Sequence, residues 1–332
     1  MKQFKVLITS HSFGKEGREA FGILEKANII PVLKQKNEIW NEDELCKIIT
    51  DMDGIIVGAD KVTKKVLERA NKLKIIAKHG IGVDNIDVEE ATKRGIPVAV
   101  AMGSNTVAVA ELAVGLIFNL ARNINICSSE TKDGRWKRRI GVELKGKTAG
   151  IIGLGRIGKE TAKRLHFMGM NLLAYDQFED KEFAKAYKVK YVSLEYLLKN
   201  SDFISLHVPL TSKTRYIINK DNIDLIKSSA YIINTARGGL IEETALYEAL
   251  KENRIAGAAV DTFESEPPIG SPLLSLPNVI ATPHIGAYTH QSINNMSMLS
   301  AKAVVDFAAG KKPEFVINKE VYSKGGDPQF NE

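Results

Sequence analysis

The chain has 332 residues, 44% apolar and 26% charged, with a formal charge of +6 at pH 7. That balance belongs to a globular protein with apolar material for two cores, and it excludes a disordered or fibrous chain. Lysines and arginines alternate with acidic residues and the densest basic run, 135–139 (RWKRR), is short, so the charge does not mark a nucleic-acid-binding protein.

The N-terminal MKQFKVLITS has too short an apolar stretch for a signal peptide and reads as a first strand. Strand-like and amphipathic runs then alternate: FKVLIT, a helix over 16–26, IIPVL, a helix over 42–49, GIIVG, a helix over 64–70, and LKIIA. Parallel strands need crossover helices, so this rhythm predicts βαβ units around a parallel sheet. Cys46 lies in this series and Cys127 far beyond it, with no CxxC or Cys/His ligand spacing, so neither a disulfide framework nor a metal site is expected.

A long helix over 106–123 follows, with Ser104 or Asn105 as N-cap. Its apolar part, 107–121, holds Glu111 and Asn119 and is too short to span a bilayer, so no membrane association is expected and the chain should be cytoplasmic. From Thr148 a second series runs TAGIIG, a helix to 168, NLLAYD, a helix over 194–199, DFISLHV, YIINTA, a helix over 242–252, IAGAAVD and NVIATPH. Each strand ends at Gly, Asp, His or Arg, and in open α/β sheets the ligand crevice lies at the carboxyl ends of the strands. A last helix over 291–309 follows.

Gly153-Leu-Gly155-Arg-Ile-Gly158 stands after a predicted strand and opens a predicted helix, the context that turns a GxGxxG into a dinucleotide fingerprint. Gly153 permits the tight turn, Gly155 admits a pyrophosphate, Gly158 lets helix and strand pack, and the N–H groups of Arg156 and Ile157 face the anion. Asp176, 18 residues beyond Gly158, is placed to accept from the adenosine ribose and to repel a 2′-phosphate. With no arginine beside it, the expected cofactor is NAD.

Three strand-end motifs offer substrate chemistry: TARGG with Arg237, DTFESEP with Asp261 and Glu266, and TPHIGA with His284. Histidine exchanges protons near neutral pH, and a carboxylate beside it orients the ring and favours its protonated form. Arginine presents parallel donors to a carboxylate. The set suits reversible oxidation of a 2-hydroxy acid.

GIIGLGRIG with YD downstream, NTARGGLI, AAVDTFESEP, TPHIGA and HGIGVDNID, with 29 residues from Arg237 to Glu266 and 18 more to His284, resemble the D-isomer-specific 2-hydroxyacid dehydrogenase family over nearly the whole chain. The branch it most resembles is the D-3-phosphoglycerate dehydrogenases of serine biosynthesis, in a short form without a regulatory tail domain. The resemblance implies an α/β fold of two doubly wound parallel-sheet domains: a flavodoxin-like substrate-binding domain over 1–102 and 290–332, and an inserted Rossmann NAD-binding domain over 103–289, with the active site in the cleft between them. It implies His284 as general acid/base, Glu266 as its carboxylate, and Arg237 as the residue that holds the substrate carboxylate and polarises the C2 carbonyl. On the cofactor side it implies Asp261 at the nicotinamide carboxamide, Val208 and Pro209 at the adenine, and Thr106, Thr235, Ala236, His284, Gly286 and Ala287 along the cofactor. It also implies a substrate-carboxylate loop at Lys78, Gly80, Ile81 and Gly82, with backbone N–H groups forming an anion nest, and a homodimer through the NAD-binding domain.

Two departures bear on the substrate. In much of the phosphoglycerate branch an arginine follows the third strand, where this chain has Gly58, and the segment before the long helix reads VAVAMGSNT in place of an Asn-Thr-Pro pattern. Lys78, Arg138 or Arg139 are the remaining sources of charge for a phosphate. The expected substrates are therefore small anionic 2-hydroxy or 2-oxo acids: 3-phosphoglycerate first, glyoxylate, hydroxypyruvate or a sulfonated acid such as sulfolactate as alternatives. An NAD-sensing corepressor-like binding protein is the alternative of another class.

Overall fold

The computed structural model describes residues 3–33 and 40–323. The chain divides into two compact units, one of Met1–Asn105 with Tyr288–Glu332, the other of Thr106–Ala287.

The first unit begins β1 (Phe4–Ile8), α1 (Glu19–Lys26), β2 (Ile29–Leu33), α2 (Glu42–Ile48), β3 (Gly54–Val57), α3 (Lys64–Arg69), β4 (Ile75–Lys78), α4 (Val88–Lys93) and β5 (Val98–Val100). Its five strands are all parallel, in the flavodoxin-like order β2-β1-β3-β4-β5. Successive strand residues point to opposite faces, so Leu7, Ile55, Val57 and Ile76 pack on one side and Val6, Ile8, Ile56 and Ala77 on the other. The connecting helices start where side chains cap them: Asn41 and Glu44 form a capping box on α2, Thr63 caps α3 and Asp87 caps α4. Helix α1 begins three residues later than the sequence pattern predicts, because the chain turns through 11–16 with Gly14 in the left-handed region at φ 69°.

The second unit contains α5 (Thr106–Arg122), α6 (Ile124–Lys132), β6 (Thr148–Ile152), α7 (Arg156–Phe167), β7 (Asn171–Tyr175), α8 (Lys181–Tyr187), β8 (Val189–Tyr191), α9 (Leu194–Asn200), β9 (Phe203–Leu206), β10 (Tyr231–Asn234), α10 (Glu243–Lys251), β11 (Gly257–Val260) and β12 (Val279–Ala281). Its seven parallel strands run β12-β11-β10-β9-β6-β7-β8, a Rossmann order extended by one strand, with the direction of winding reversing between β6 and β9. Helix α5 lays Ala113, Ile117 and Leu120 over the face formed by Ala149, Ile151, Ile233 and Ala259, and Ile152, Ile204, Ile232 and Val260 bury the other face. It stops at Arg122 because Asn123 adopts φ 56° and ψ 33°, which breaks the helical ladder and starts α6 in a new direction.

Beyond β12 the chain re-enters the first unit as α11 (His290–Ala308), capped by Thr289, and buries Ala301 and Val304 with β1, β3 and α1 residues. Among the described residues no single helix is long and apolar enough to cross a membrane.

Candidate active site

The fingerprint occupies the turn from β6 into α7, at the point where the strand order reverses. Gly153 takes φ 94°, and a Cβ there would sit 2.8 Å from the His207 carbonyl and 2.7 Å from Val208 Cγ1, so glycine alone lets β6 turn beside the strand end of β9. A Cβ on Gly158 would overlap the Gly153 carbonyl oxygen, which fixes the close packing of α7 on the turn. At Gly155 the same atom would meet nothing within 4 Å. Open space therefore faces the first turn of α7, which Gly155 caps without a side chain and whose first N–H groups include those of Arg156 and Ile157. Asp176, just past β7, accepts from Leu154 N at 2.7 Å through one oxygen and from Phe178 N at 2.9 Å through the other, which orients the carboxylate beside the turn.

The three chemistry-bearing side chains lie at carboxyl ends of neighbouring strands of this sheet. His284, in the turn after β12, takes φ 52° and places Nδ1 2.8 Å from Glu266 Oε2. Glu266 also accepts from Phe263 N at 3.1 Å, so its carboxylate is held at both oxygens. Burial alone would raise this carboxyl, but the His284 hydrogen bond and charge, the Phe263 N–H and the Arg237 cation together bring it below the ordinary glutamate value. Glu266 is thus ionised at neutral pH. The Nδ1 contact leaves Nε2 as the ring nitrogen for proton exchange, on a side chain 47% exposed.

Arg237 follows β10 and is half buried. Its Nη1 donates to the Ala236 carbonyl at 2.7 Å, and Asn234, buried at the end of β10, donates to the Arg237 carbonyl at 2.8 Å and accepts from Ala236 N at 3.1 Å. The strand end thereby fixes the backbone on both sides of the guanidinium. Asp261, fully buried at the end of β11, accepts from Thr282 Oγ1 at 2.6 Å, Ile285 N at 2.8 Å and Gly286 N at 2.8 Å. These bonds bracket His284 and hold the left-handed conformation, which costs about 1–3 kcal/mol for a non-glycine residue.

In the first unit Lys78 ends β4 and the loop after it carries His79, Gly80, Ile81 and Gly82. Among the described residues the N–H groups of Gly80, Ile81 and Gly82 donate to no backbone carbonyl, while Gly80 takes φ 143°. Lys78 Nζ donates to the Gly58 carbonyl at 2.6 Å and to Asn85 Oδ1 at 2.8 Å, and Asn85 Nδ2 donates to the carbonyls of Gly58 and Asp60. A Cβ on Gly58 would meet Ser10 Cα at 2.9 Å, so the end of β3 admits no side chain and the lysine ammonium supplies the charge there. His79 is buried with Nε2 3.1 Å from Ser297 Oγ on α11, and Ser297 also accepts from Gly14 N at 3.2 Å. Burial, with the Lys78 charge, pushes His79 down to about 4.

Residues 114–286 match the family model described as D-isomer specific 2-hydroxyacid dehydrogenase, NAD binding domain. D-3-phosphoglycerate dehydrogenase of Methanocaldococcus jannaschii is 47% identical over 298 residues, covering 87% of this chain and 57% of that protein. Glyoxylate reductase of Thermococcus litoralis is 42% identical over 300 residues, covering 86% and 91%. The chain belongs to the D-isomer specific 2-hydroxyacid dehydrogenase family. A solved D-lactate dehydrogenase of Aquifex aeolicus, complexed with NAD and lactic acid, superposes with a TM-score of 0.83 at 30% identity, covering 94% of this chain and 99% of that one. The chain spans little more than half the length of the phosphoglycerate dehydrogenase it matches.

The residues of the second unit fit a dinucleotide. Gly155 opens a cradle that a Cβ would fill, and Thr235 Oγ1 and His207 Nδ1, at the ends of β10 and β9, are buried without a hydrogen-bond partner among the described residues. Val208 and Pro209 follow His207 at the same edge, Ala236 follows Thr235, and Gly286 and Ala287 follow the His284 turn. Thr106 opens α5 in the same unit. Arg237, Glu266 and His284 fall in the second unit and Lys78, Gly80, Ile81 and Gly82 in the first. Arg139 pairs with Glu130, which engages one of the two arginines considered for a phosphate. Sequence reasoning missed Asn85, Asn234 and Ser297, polar residues that hold the chemistry-bearing loops; nothing in their spacing marks them, because their partners are backbone groups or residues distant in the chain.

Proposed function

We propose that the chain is an NAD-dependent D-2-hydroxyacid dehydrogenase, and the observation that carries this reading is the Glu266–His284 pair held at the strand ends of a sheet that also bears the dinucleotide fingerprint. The cradle at Gly153, Gly155 and Gly158 with Asp176 holds NAD, which supplies the hydride acceptor. In oxidation of the 2-hydroxy acid, His284 Nε2 takes the C2 hydroxyl proton as the C2–H hydride leaves. Glu266 keeps the ring oriented through Nδ1 and stabilises the imidazolium that forms. Arg237 holds the substrate carboxylate and stabilises negative charge on the C2 oxygen. In reduction the same groups act in reverse, with His284 donating the proton to that oxygen. The loop at Lys78, Gly80, Ile81 and Gly82 is the anion-binding loop.

Among substrates 3-phosphoglycerate leads, on the resemblance of the whole chain to that branch. Gly58 favours a second reading, glyoxylate or hydroxypyruvate, since the strand end holds a single lysine ammonium where an arginine fork would suit a phosphate. We place the enzyme in the cytoplasm and propose a homodimer through the second unit. Support for the dimer comes from residues 135–143, a segment without regular structure that leaves Trp136 82% and Ile140 99% exposed.

NADH formation or consumption with 3-phosphoglycerate, glycerate, lactate, sulfolactate, glyoxylate and hydroxypyruvate tests the proposal. The reading predicts turnover of at least one acid, whereas NAD binding with turnover of none would identify a binding protein.

A further inference from the structure

Glu266 reaches His284 from the short turn that follows β11, and that turn makes a crossed pair of hydrogen bonds with the start of α10. Glu264 N donates to Glu243 Oε1 at 2.6 Å, and Glu243 N donates to Glu264 Oε1 at 3.1 Å. Glu242, the N-cap of α10, makes no side-chain cap bond, so the Glu264 carboxylate serves an N–H of the first turn that the helix itself leaves unpaired. The other oxygen, Glu264 Oε2, accepts from Tyr216 OH at 3.0 Å, and the Tyr216 hydroxyl in turn accepts from Arg215 Nη2 at 3.1 Å. Tyr216 N donates to the Gly239 carbonyl at 2.9 Å, two residues from Arg237.

An exposed carboxylate with every oxygen engaged is unlike an ordinary surface glutamate, which keeps its acceptors in water. Bringing Glu243 and Glu264 together is unfavourable. Burial and the Glu264 charge raise the Glu243 carboxyl despite the Glu264 N–H that it accepts. The two crossed N–H donors offset that repulsion and fix the turn to the helix.

We infer that Glu264 is a positioning residue: its crossed pairing with Glu243 and its bond from Tyr216 set the turn that presents Glu266 to His284. The inference rests on the dehydrogenase reading, in which that pair handles the proton. Its effect passes through one observable bond, Phe263 N to Glu266 Oε1, since Phe263 and Glu266 bracket Glu264 in the turn.

Three measurements test it. Amide hydrogen exchange at Phe263 should accelerate about tenfold or more in Glu264→Ala, with exchange in β6 and β10 unchanged, because the Glu266 carboxylate no longer stays on that N–H. In steady-state kinetics Glu264→Ala should lower kcat about tenfold while KM for the acid and the NADH Kd stay within about twofold, and Glu264→Gln, whose carbonyl still accepts from Glu243 N, should recover most of the loss. In a Glu266→Gln background Glu264→Ala should have no further effect on kcat. Tyr216→Phe, which removes the hydroxyl's bonds to Glu264 and from Arg215 and keeps the ring, should give a smaller change in the same direction, so that a poorly folding alanine variant does not end the test. Unchanged Phe263 exchange, wild-type kcat in Glu264→Ala, or a full further loss in the Glu266→Gln background would each overturn the inference. A wild-type protein that turns over no acid overturns the dehydrogenase reading instead, and the Phe263 exchange still decides the placement of the turn.

Discussion

Gly238 packs directly on the backbone of Phe263: a Cβ at position 238 would overlap the Phe263 carbonyl carbon and oxygen and the Glu264 nitrogen. The glycine after Arg237 is therefore a contact surface for the turn that carries Glu266. Gly238→Ala must push that turn away, and overpacking against backbone costs about 1–3 kcal/mol or more. Urea denaturation should show that loss, and kcat should fall at least tenfold. A stable, fully active alanine variant would mean that the turn has other room.

The fingerprint glycines differ in what they protect, and the difference can be measured. Gly155→Ala meets open space, so unfolding free energy should stay within about 0.5 kcal/mol, while NADH affinity should drop about 100-fold because the methyl group enters the pyrophosphate cradle. Gly158→Ala collides with the Gly153 carbonyl and should destabilise the protein as well. Fluorescence titration with NADH beside chemical denaturation separates the two outcomes.

Asp261→Asn keeps the shape of the side chain but turns one acceptor into a donor. If the amide nitrogen replaces Oδ2 it faces Gly286 N–H, donor against donor; flipped, it faces Ile285 N–H and Thr282 Oγ1. Either way a buried donor loses its partner, at about 1–3 kcal/mol. The His284 turn should relax, lowering kcat as well as stability. Equal kcat in the two proteins would show that the turn holds without the third bond.

Acid should weaken the first unit through His79. The ring is buried neutral with its proton affinity pushed down to about 4 from 6.5, so between those values the unfolded chain binds more protons than the folded one. Stability therefore falls as pH drops through that window, by about 3 kcal/mol in all. His79→Gln should flatten the pH dependence of unfolding between pH 7 and pH 4, read by urea titration at each pH. An unchanged slope would assign the acid sensitivity to other groups.

How much of this was legible in the sequence depended on whether partners are local. The strand and helix runs of both units, the GxGxxG turn, Asp176 and the dyad residues stand out because apolar periodicity and strand-end polar residues are one-dimensional signals. Helix α8 and strand β8 were not anticipated: Lys181–Tyr187 is short and largely exposed, and only the Asp180 cap marks its start. Helix α4 and strand β5 escaped because they are short, six and three residues, too few to show a pattern although both are partly or wholly buried. The supports of the site were illegible for a different reason. Ser297 meets His79 across 218 positions, and Gly238 gives no hint that Phe263 lies against it. The first contact arises only when α11 returns to the first unit, and the second only when β10 and β11 bring their carboxyl ends to one edge.

The proton carrier of the proposed reaction is His284. Measured side by side, His284→Ala and wild type should bind NADH with the same Kd within about twofold, since the cradle lies in the β6–α7 turn. With a substrate that wild type turns over, kcat of the variant should be about 10²- to 10⁴-fold lower, the range for loss of a general acid/base. Near-normal turnover in the variant, with NADH binding intact, would contradict the assignment of His284 and with it the mechanism proposed for the Glu266–His284 pair.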